Sequence, residues 1–599
     1  MPEYLAPGVY VEETSFRARS IQGVGTSTTG FVGLARKGPT DGLPELVTSF
    51  GEFERMYGGL DAVAIPGANT DTTNYMAYAA RAFFNEGGSR LYISRVFLDR
   101  AGGQAGGQAQ SPEAALGNSR FASRHPGSAY DGAVRVTERT SPASTRALET
   151  APIGSLVRVG DAANPTAYHV REANGWRAFS RADANSPWTA GDLAPTLTLN
   201  EATDVLITVD VEIVDADEVS LSYEGLGLDA NHPRAMGRAM PAAPTRRSDL
   251  IGSPYVFTQG DTVAPQLHTL LMADPPADPG PTVLGAVTAN PDGSRTRSLP
   301  LTGGHDGRTA ALEQWQGALD RLNDWDDIAI VAAPGASAFA ATAQAVQNAL
   351  ITHAERSRFR IAVLDPEQNL DLAAIRLSRG RVDSTYAALY YPWIVITNPQ
   401  ARPGNESIRK EVALPPSGHI CGIYARNDAL RGVWKTPANE VVREAIRFER
   451  EINHGQQEVL NPLGINCLRS FSGRGNRVYG GRLATSDREV VYVSDRRYLN
   501  YLKRSIDVSM QWAVFEPNGS RLWANIRDAV SSFLYTEWRN GALLGSNPEQ
   551  AFFVRCDRST MTQADLDNGR MICEVGVAII KPAEFVIFRI GQKTADARN

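Results

Sequence analysis

The chain has 599 residues, of which 42% are apolar and 21% charged, and a formal net charge of −6. That length exceeds what one hydrophobic core organises and predicts about two to four domains. The ordinary composition excludes a fibrous or disordered chain. The weak negative charge, with Lys and Arg spread along the sequence, excludes a basic field for binding nucleic acid. The N-terminus lacks the basic and apolar regions of a signal peptide. The most apolar long window, 328–346, is broken by Pro334-Gly335 and reads as strand, turn and helix rather than as a membrane span. No two of the four cysteines have CxxC spacing, so neither a zinc site nor a disulfide framework is expected, and assembly in a reducing cytosol is.

Taken in order, residues 1–20 read as an arm. Gly8-Val9-Tyr10-Val11-Glu12 alternates like a short strand, which is unstable without a partner. Residues 14–20 are polar and suit a hinge. Strands are predicted over 29–34, 46–48 and 91–96. Ser49-Phe50-Gly51-Glu52 is a capping-box pattern opening a helix, and a second helix carries Met76, Ala79, Ala80, Phe83 and Phe84 on one face before Gly87-Gly88. The glycine-rich run 102–111 reads as a flexible boundary. Beyond it, 121–297 is rich in strand and turn signals, best at 155–159, 167–170 and 205–214, with a second flexible piece near 275–281.

Strand and helix then alternate. Helices are predicted around Trp315 and around Leu350, with buried strands at 328–331 and 361–364 and an aromatic strand at 390–396. Such alternation implies βαβ crossovers and an open, mostly parallel sheet. The last third holds the glycine-punctuated segment 472–482, which supplies a turn and arginines. An amphipathic helix follows, with Leu522, Ile526, Val530, Phe533 and Leu534 on one face, capped by Asn518 or Ser520 and followed by Gly541. Two strands, 571–580 and 584–590, close the chain. In the first of them Cys573 alternates with Val575, Val577 and Ile579, so it is expected as a buried small hydrophobe.

Chemistry is sparse. Gly473-x-Gly475 meets Val478 where a dinucleotide fingerprint needs glycine, and no GxxxxGK[ST] phosphate loop occurs. Gly25-Thr26-Ser27-Thr28-Thr29 misses a nucleophile elbow at its last residue. No HExxH occurs among the eight histidines, and His353 and His419 lie beside apolar segments as core histidines do. Asp324-Trp325-Asp326-Asp327 lacks the spacing of a calcium loop and reads as a solvated turn. No catalytic residue, metal site or cofactor is expected.

A set of motifs, in sequence order, resembles the tail sheath proteins of contractile injection systems: contractile phage tails, R-type pyocins and related cell-encoded particles. They are Pro7-Gly8-Val9-Tyr10-Val11-Glu12-Glu13, Gly30-Phe31-Val32-Gly33, Phe83-Phe84-Asn85-Glu86-Gly87-Gly88, Gly303-Gly304-His305-Asp306-Gly307 and Tyr390-Tyr391-Pro392-Trp393. Further on come Pro415-Pro416-Ser417-Gly418, Trp434-Lys435-Thr436-Pro437-Ala438-Asn439, Leu460-Asn461-Pro462-Leu463-Gly464-Ile465-Asn466, Val514-Phe515-Glu516-Pro517-Asn518, Ala551-Phe552-Phe553-Val554 and Lys581-Pro582-Ala583-Glu584-Phe585. The similarity is weak across 102–297, and Val478-Tyr479-Gly480-Gly481-Arg482 stands where many relatives carry Trp-Gly-Ala-Arg.

The resemblance implies an α/β multidomain sheath fold with an open, mostly parallel sheet, a β-rich peripheral insertion and strand-exchanging terminal arms. The implied division is an N-terminal arm (1–20), a first part of the core (21–101), a flexible linker (102–120), the insertion (121–300), an α/β domain (301–460), an inner, tube-facing domain (461–583) and a C-terminal arm (584–599). It implies a non-enzymatic subunit that stacks as hexameric rings around an inner tube, seated on a baseplate and closed by a terminator. From a metastable extended state the sheath contracts to drive the tube through an envelope, with no direct nucleic-acid contact and no membrane insertion. The particle is assembled in the producing cell's cytoplasm and is then released or anchored at the envelope. Val9, Tyr10, Val11 and Glu12, and Phe585, Val586, Ile587 and Phe588, are the expected inter-subunit strands. Arg496, Arg497, Lys503 and Arg504 are the candidate tube contact. Two other readings are an α/β enzyme or nucleotide-binding protein, resting on the parallel-sheet pattern, and a decoration or adhesin protein, resting on the insertion.

Overall fold

A computed structural model describes residues 20–65, 73–100, 104–111, 116–162, 165–183, 186–197, 199–201, 203–246, 250, 252–272, 286–404 and 408–588. Its centre is a nine-stranded sheet. The order across it is Glu45–Val47, Leu91–Arg95, Thr29–Gly33, Ile330–Ala332, Ile361–Leu364, Ala387–Tyr391, Ile465–Phe471, Gly475–Val478 and Glu440–Val441. The strands from Leu91–Arg95 to Ile465–Phe471 are parallel, and the three outermost pairings are antiparallel.

Covering helices explain why these strands read as unbroken apolar runs. Phe31, Ile93, Ile330, Val363 and Tyr390 face one core, closed by the helices Tyr75–Glu86 and Ser417–Arg431. Val32, Tyr92, Val331, Leu364 and Tyr391 face the other, closed by Leu312–Arg321 and Ala343–Ser357. On the first face two glycines four apart let the helices meet backbone to backbone. A Cβ on Gly418 would lie 2.6 Å from Ala79 Cα, and one on Gly422 would lie 2.6 Å from the Phe83 carbonyl oxygen.

The local signals at the N-terminal end hold. Ser49 accepts from the Glu52 amide and opens the helix Phe50–Tyr57, while the Glu52 carboxylate reaches back to the amide and hydroxyl of Thr48. Gly87, at φ 115°, ends Tyr75–Glu86 in the left-handed region that favours glycine.

The insertion is β-rich, as expected. Gly132–Pro142 pairs along its whole length with Val205–Asp215, at the middle of an antiparallel sheet that also takes in Leu156–Val159, Ala167–Glu172 and Arg295–Leu301. It is docked rather than loosely tethered. Lys37 Nζ lies 2.8 Å from Asp215 Oδ2, with the two side chains 2% and 6% exposed, and the buried Arg95 donates to the Pro126 carbonyl.

Several expectations need correcting. Residues 104–111 are not a free linker: Gln110 bridges both Ala122 and Thr302, and Ala109 is fully buried. The aromatic strand at 390–396 is two strands in two sheets. Pro392 has no N–H to continue a ladder, and Ile394–Thr397 pairs with Glu411–Leu414 and Ala445–Phe448. The boundary drawn at 460 falls short of the end of the central sheet, which claims Ile465–Phe471 and Gly475–Val478; the C-terminal helices begin with Val493–Ser509. There the helix Ser520–Arg539 buries the five predicted apolar residues, but Gly519 is its N-cap, and Asn518 accepts instead from Trp523 Nε1. The strand expected at 571–580 is trimmed to Glu574–Val577, paired with Phe552–Arg555, and Cys573 is only half-buried. The flexible piece expected near 275–281 and the arm residues Val9, Tyr10, Val11 and Glu12 lie outside the described residues.

Candidate assembly surface

Both ends of the described chain converge on one helix, Val493–Ser509. Near its C-terminal end the incoming segment is bound by serine hydroxyls: Val24 N–H donates to Ser505 Oγ (3.1 Å) and Gln22 N–H to Ser509 Oγ (3.3 Å). Ile21 is buried in the core of the C-terminal unit, and Gly23 lies so close to Tyr501 that a Cβ would meet its hydroxyl at 2.3 Å. Thr26 Oγ1 donates to Asp428, which also receives both terminal nitrogens of Arg497 (2.8 and 2.6 Å).

At the N-terminal end of the same helix the outgoing segment is clamped by one carboxylate. Glu584 accepts from Arg482 Nε (3.0 Å) and Nη2 (2.5 Å), from Asn461 Nδ2 (2.5 Å) and from Tyr492 Oη (3.0 Å). Burial pushes the Glu584 carboxyl up, but the bonds from Arg482 and Asn461 and the Arg482 charge outweigh it, leaving it below its ordinary value. A helix of 17 residues spans about 25 Å at 1.5 Å per residue, so the two roots are held about that far apart.

Beyond the clamp the chain is apolar and uncovered. Phe585, Val586, Ile587 and Phe588 are 73%, 69%, 78% and 83% exposed and join no strand pair among the described residues. Beside them lies an open groove of about 1060 Å³, lined by Trp434, Arg469, Phe471, Tyr479 and Tyr492 and by the arm's own Phe585 and Val586.

The basic residues of Val493–Ser509 are mostly engaged internally. Arg496 donates to the Thr385 carbonyl and hydroxyl and lies 4.2 Å from the Tyr386 ring centroid. Arg497 is committed to Asp428 and the Thr26 carbonyl and stacks over Tyr424. Arg504 pairs with Asp326 and Asp507. Of the four, Lys503 is the one whose side chain is exposed.

The clamp residues were not singled out from the sequence. Three of them, Asn461, Arg482 and Glu584, nevertheless stand inside quoted motifs as polar residues with no local partner. That was the available signal.

Candidate catalytic groups do not assemble. His419 is buried, with neither ring nitrogen partnered among the described residues, and burial lowers it to about 3. His353 Nε2 lies 2.6 Å from Arg360, and burial together with that charge lowers it to about 3 as well. Asp324, Asp326 and Asp327 sit exposed between a helix and a strand. Among the described residues no cluster of three metal-ligating side chains occurs, and no helix is long and apolar enough to cross a membrane.

Comparison with known proteins gives this arrangement a family. The model of the phage tail sheath protein central domain matches residues 310–482, and that of the phage tail sheath C-terminal domain matches 485–593. A tail sheath protein of Vibrio phage KVP40 is 22% identical over 52% of this chain and 49% of its own length. A putative prophage major tail sheath protein of Pseudomonas aeruginosa is 22% identical over 44% of this chain and 64% of its own. The chain thus spans less than two thirds of either curated relative. The helical sheath of the anti-feeding prophage in its contracted state superposes over 99% of this chain and 100% of its own, with a TM-score of 0.51 at 19% identity, a likeness of fold. Two adjoining domain matches in family order and relatives that carry the same description lead to one conclusion: residues 310–593 carry the central and C-terminal domains of a phage tail sheath protein.

Proposed function

We propose that this chain is the structural subunit of a contractile sheath. It polymerises through its two arms around an inner tube, on a baseplate, and shortens to drive the tube through an envelope. The observation that carries this reading is the C-terminal arm: four consecutive apolar residues left uncovered immediately after a four-donor clamp at Glu584. An isolated chain gains nothing by exposing such a run, whereas a strand offered to a neighbour's sheet recovers both its ladder and its burial. About five backbone hydrogen bonds at about 1 kcal/mol net each contribute roughly 5 kcal/mol per link. Head-to-tail links of this kind build open helical filaments.

Residues 9–12 are assigned the same role, the segment that follows them being held on the opposite end of the helix that bears the C-terminal root. Lys503 is the residue of its helix best placed to touch the tube; Arg496 and Arg497 hold the subunit's own domains together. The insertion faces outward as a peripheral module. The particle is of the phage-tail or extracellular injection type, put together in the producing cell.

Negative-stain microscopy of the purified chain tests this. Hollow tubes are expected at high concentration, and a chain lacking 1–20 should remain as folded single subunits. Tubes of normal form from the truncated chain would overturn the arm assignment, and a thermal-shift response to nucleotides would instead favour a ligand-binding protein.

A further inference from the structure

The hairpin ahead of the C-terminal arm carries two thiols in register. Phe552–Arg555 and Glu574–Val577 run antiparallel with Arg555 opposite Glu574. That pair is the last of the ladder; the same register carried one step further places Cys556 opposite Cys573, and each thiol acts on the other as a direct side-chain neighbour. Opposed residues of an antiparallel pair hold their Cα atoms about 4.5 or about 5.5 Å apart, according to the type of pair. Both separations fall within the roughly 4.4–6.8 Å that a disulfide spans. Cys556 is buried and Cys573 half-buried. Burial pushes both thiols up, Cys573 to about 12, and each feels the other as a direct neighbour. Cys421 and Cys467 lie elsewhere, buried on opposite faces of the central sheet.

We propose that Cys556 and Cys573 are an oxidisable pair that closes to a disulfide by exchange with a low-molecular-weight disulfide. The more accessible Cys573, as thiolate, attacks one sulfur of that reagent, forming a mixed disulfide and expelling one thiolate. The Cys556 thiolate then attacks the Cys573 sulfur, forming the intramolecular bond and expelling the second. Two protein thiols are oxidised, one external disulfide is reduced to two thiols, and the two protons pass to the expelled thiolates. The high proton affinity keeps the thiolate fraction small, so closure is slow at neutral pH and quickens as pH rises. The bond ties off the 557–572 excursion and fixes the hairpin whose second strand runs on to Ile579, bridged to Leu543, and then to the arm root.

The test uses the full chain, kept folded, with oxidised glutathione at about pH 8.5, near a free thiol's ordinary value. Unfolding, alkylation and mass measurement follow. The expected product has lost two alkylatable thiols, is two hydrogens lighter, and yields a digestion peptide joining Cys556 to Cys573. Cys556→Ser should stop at a glutathione adduct on Cys573, and Cys573→Ser should keep its three remaining thiols free. A wild-type chain that retains four alkylatable thiols, or that stalls at the adduct, overturns the proposal. Should Cys556→Ser fail to fold, the wild-type peptide map decides the matter alone.

Discussion

Asp365 shows how a single buried group ties fold to conditions. It lies at the end of Ile361–Leu364 and accepts from the amide (2.7 Å) and hydroxyl (2.5 Å) of Ser417, anchoring the start of Ser417–Arg431. Burial outweighs those bonds and pushes its carboxyl up to about 7. An unfolded aspartate gives up its proton near about 3.9. Between those values the folded chain holds more protons than the unfolded one, so this group's contribution falls as pH rises, by about 1.4 kcal/mol per unit. Asp365→Asn keeps an acceptor for the Ser417 amide and cannot titrate. Its urea midpoint should therefore be flatter than wild type between about pH 4 and 7, and parallel profiles would refute the assignment. Glu584 has the opposite sign. Its carboxyl is held below the ordinary value, so its stabilisation is present above the unfolded value of about 4.3 and is lost as pH falls through the lower folded one. Arg482→Ala removes the clamp's charge partner at neutral pH. It should leave the melting of the body within about 1 kcal/mol of wild type, while proteolysis after the arm root becomes markedly faster; unchanged cleavage would mean that the clamp does not hold the arm.

At the scale of elements, the helix pair Tyr75–Glu86 and Ser417–Arg431 is set by Gly418 and Gly422, which leave no room for a side chain. Gly418→Leu must push Ala79 backbone aside in a fully packed face and should cost about 3 kcal/mol or more. A calorimetric melt unchanged within error would show that the helices separate freely. The sequence made most of this layer readable because its signals are local: Ser49 with Glu52, the stripe from Leu522 to Leu534 and the apolar runs 330–332 and 361–364 each carry their own periodicity or cap. What it hid was pairing at a distance. Pro392 divides an aromatic run between two sheets, and Gln110 joins strands on both sides of the insertion, because partners far along the chain decide those positions. The clamp at Glu584 was illegible for the same reason, since its donors are 92, 102 and 123 residues away. Asn461, Arg482 and Glu584, though not Tyr492, are charged or amide residues within otherwise structural motifs.

At the scale of the whole molecule, charge is buried where its parts meet. Lys37 and Asp215 join the central sheet to the insertion across 178 residues of sequence, with both side chains almost fully buried. Removing the Asp215 charge leaves Lys37 only its longer contact to Asp217 (3.7 Å), a loss that approaches the roughly 3–5 kcal/mol of a broken buried pair, whereas removing both charges is close to neutral. Asp215→Asn alone should therefore lower stability, and Lys37→Met combined with Asp215→Asn, which keeps an oxygen acceptor for the Asp217 and Val219 amides, should recover most of it. Additive losses in that double-mutant cycle would show that the insertion is not docked through this pair. Rigidity here bears directly on the mechanical reading. On that reading, a subunit that passes force between its termini needs a body that does not yield between the two roots, and the helix Val493–Ser509 runs from one to the other. Its buried Arg497 ties that helix to Asp428 of Ser417–Arg431 and to the Thr26 carbonyl, and so to the central sheet. Arg497→Met should leave both terminal segments unchanged while loosening the strut behind them. The expected outcome is assembled tubes that are shorter or broken under shear, with a lower melting temperature for the C-terminal unit. Normal tubes of full strength from that variant would place the load path elsewhere in the fold.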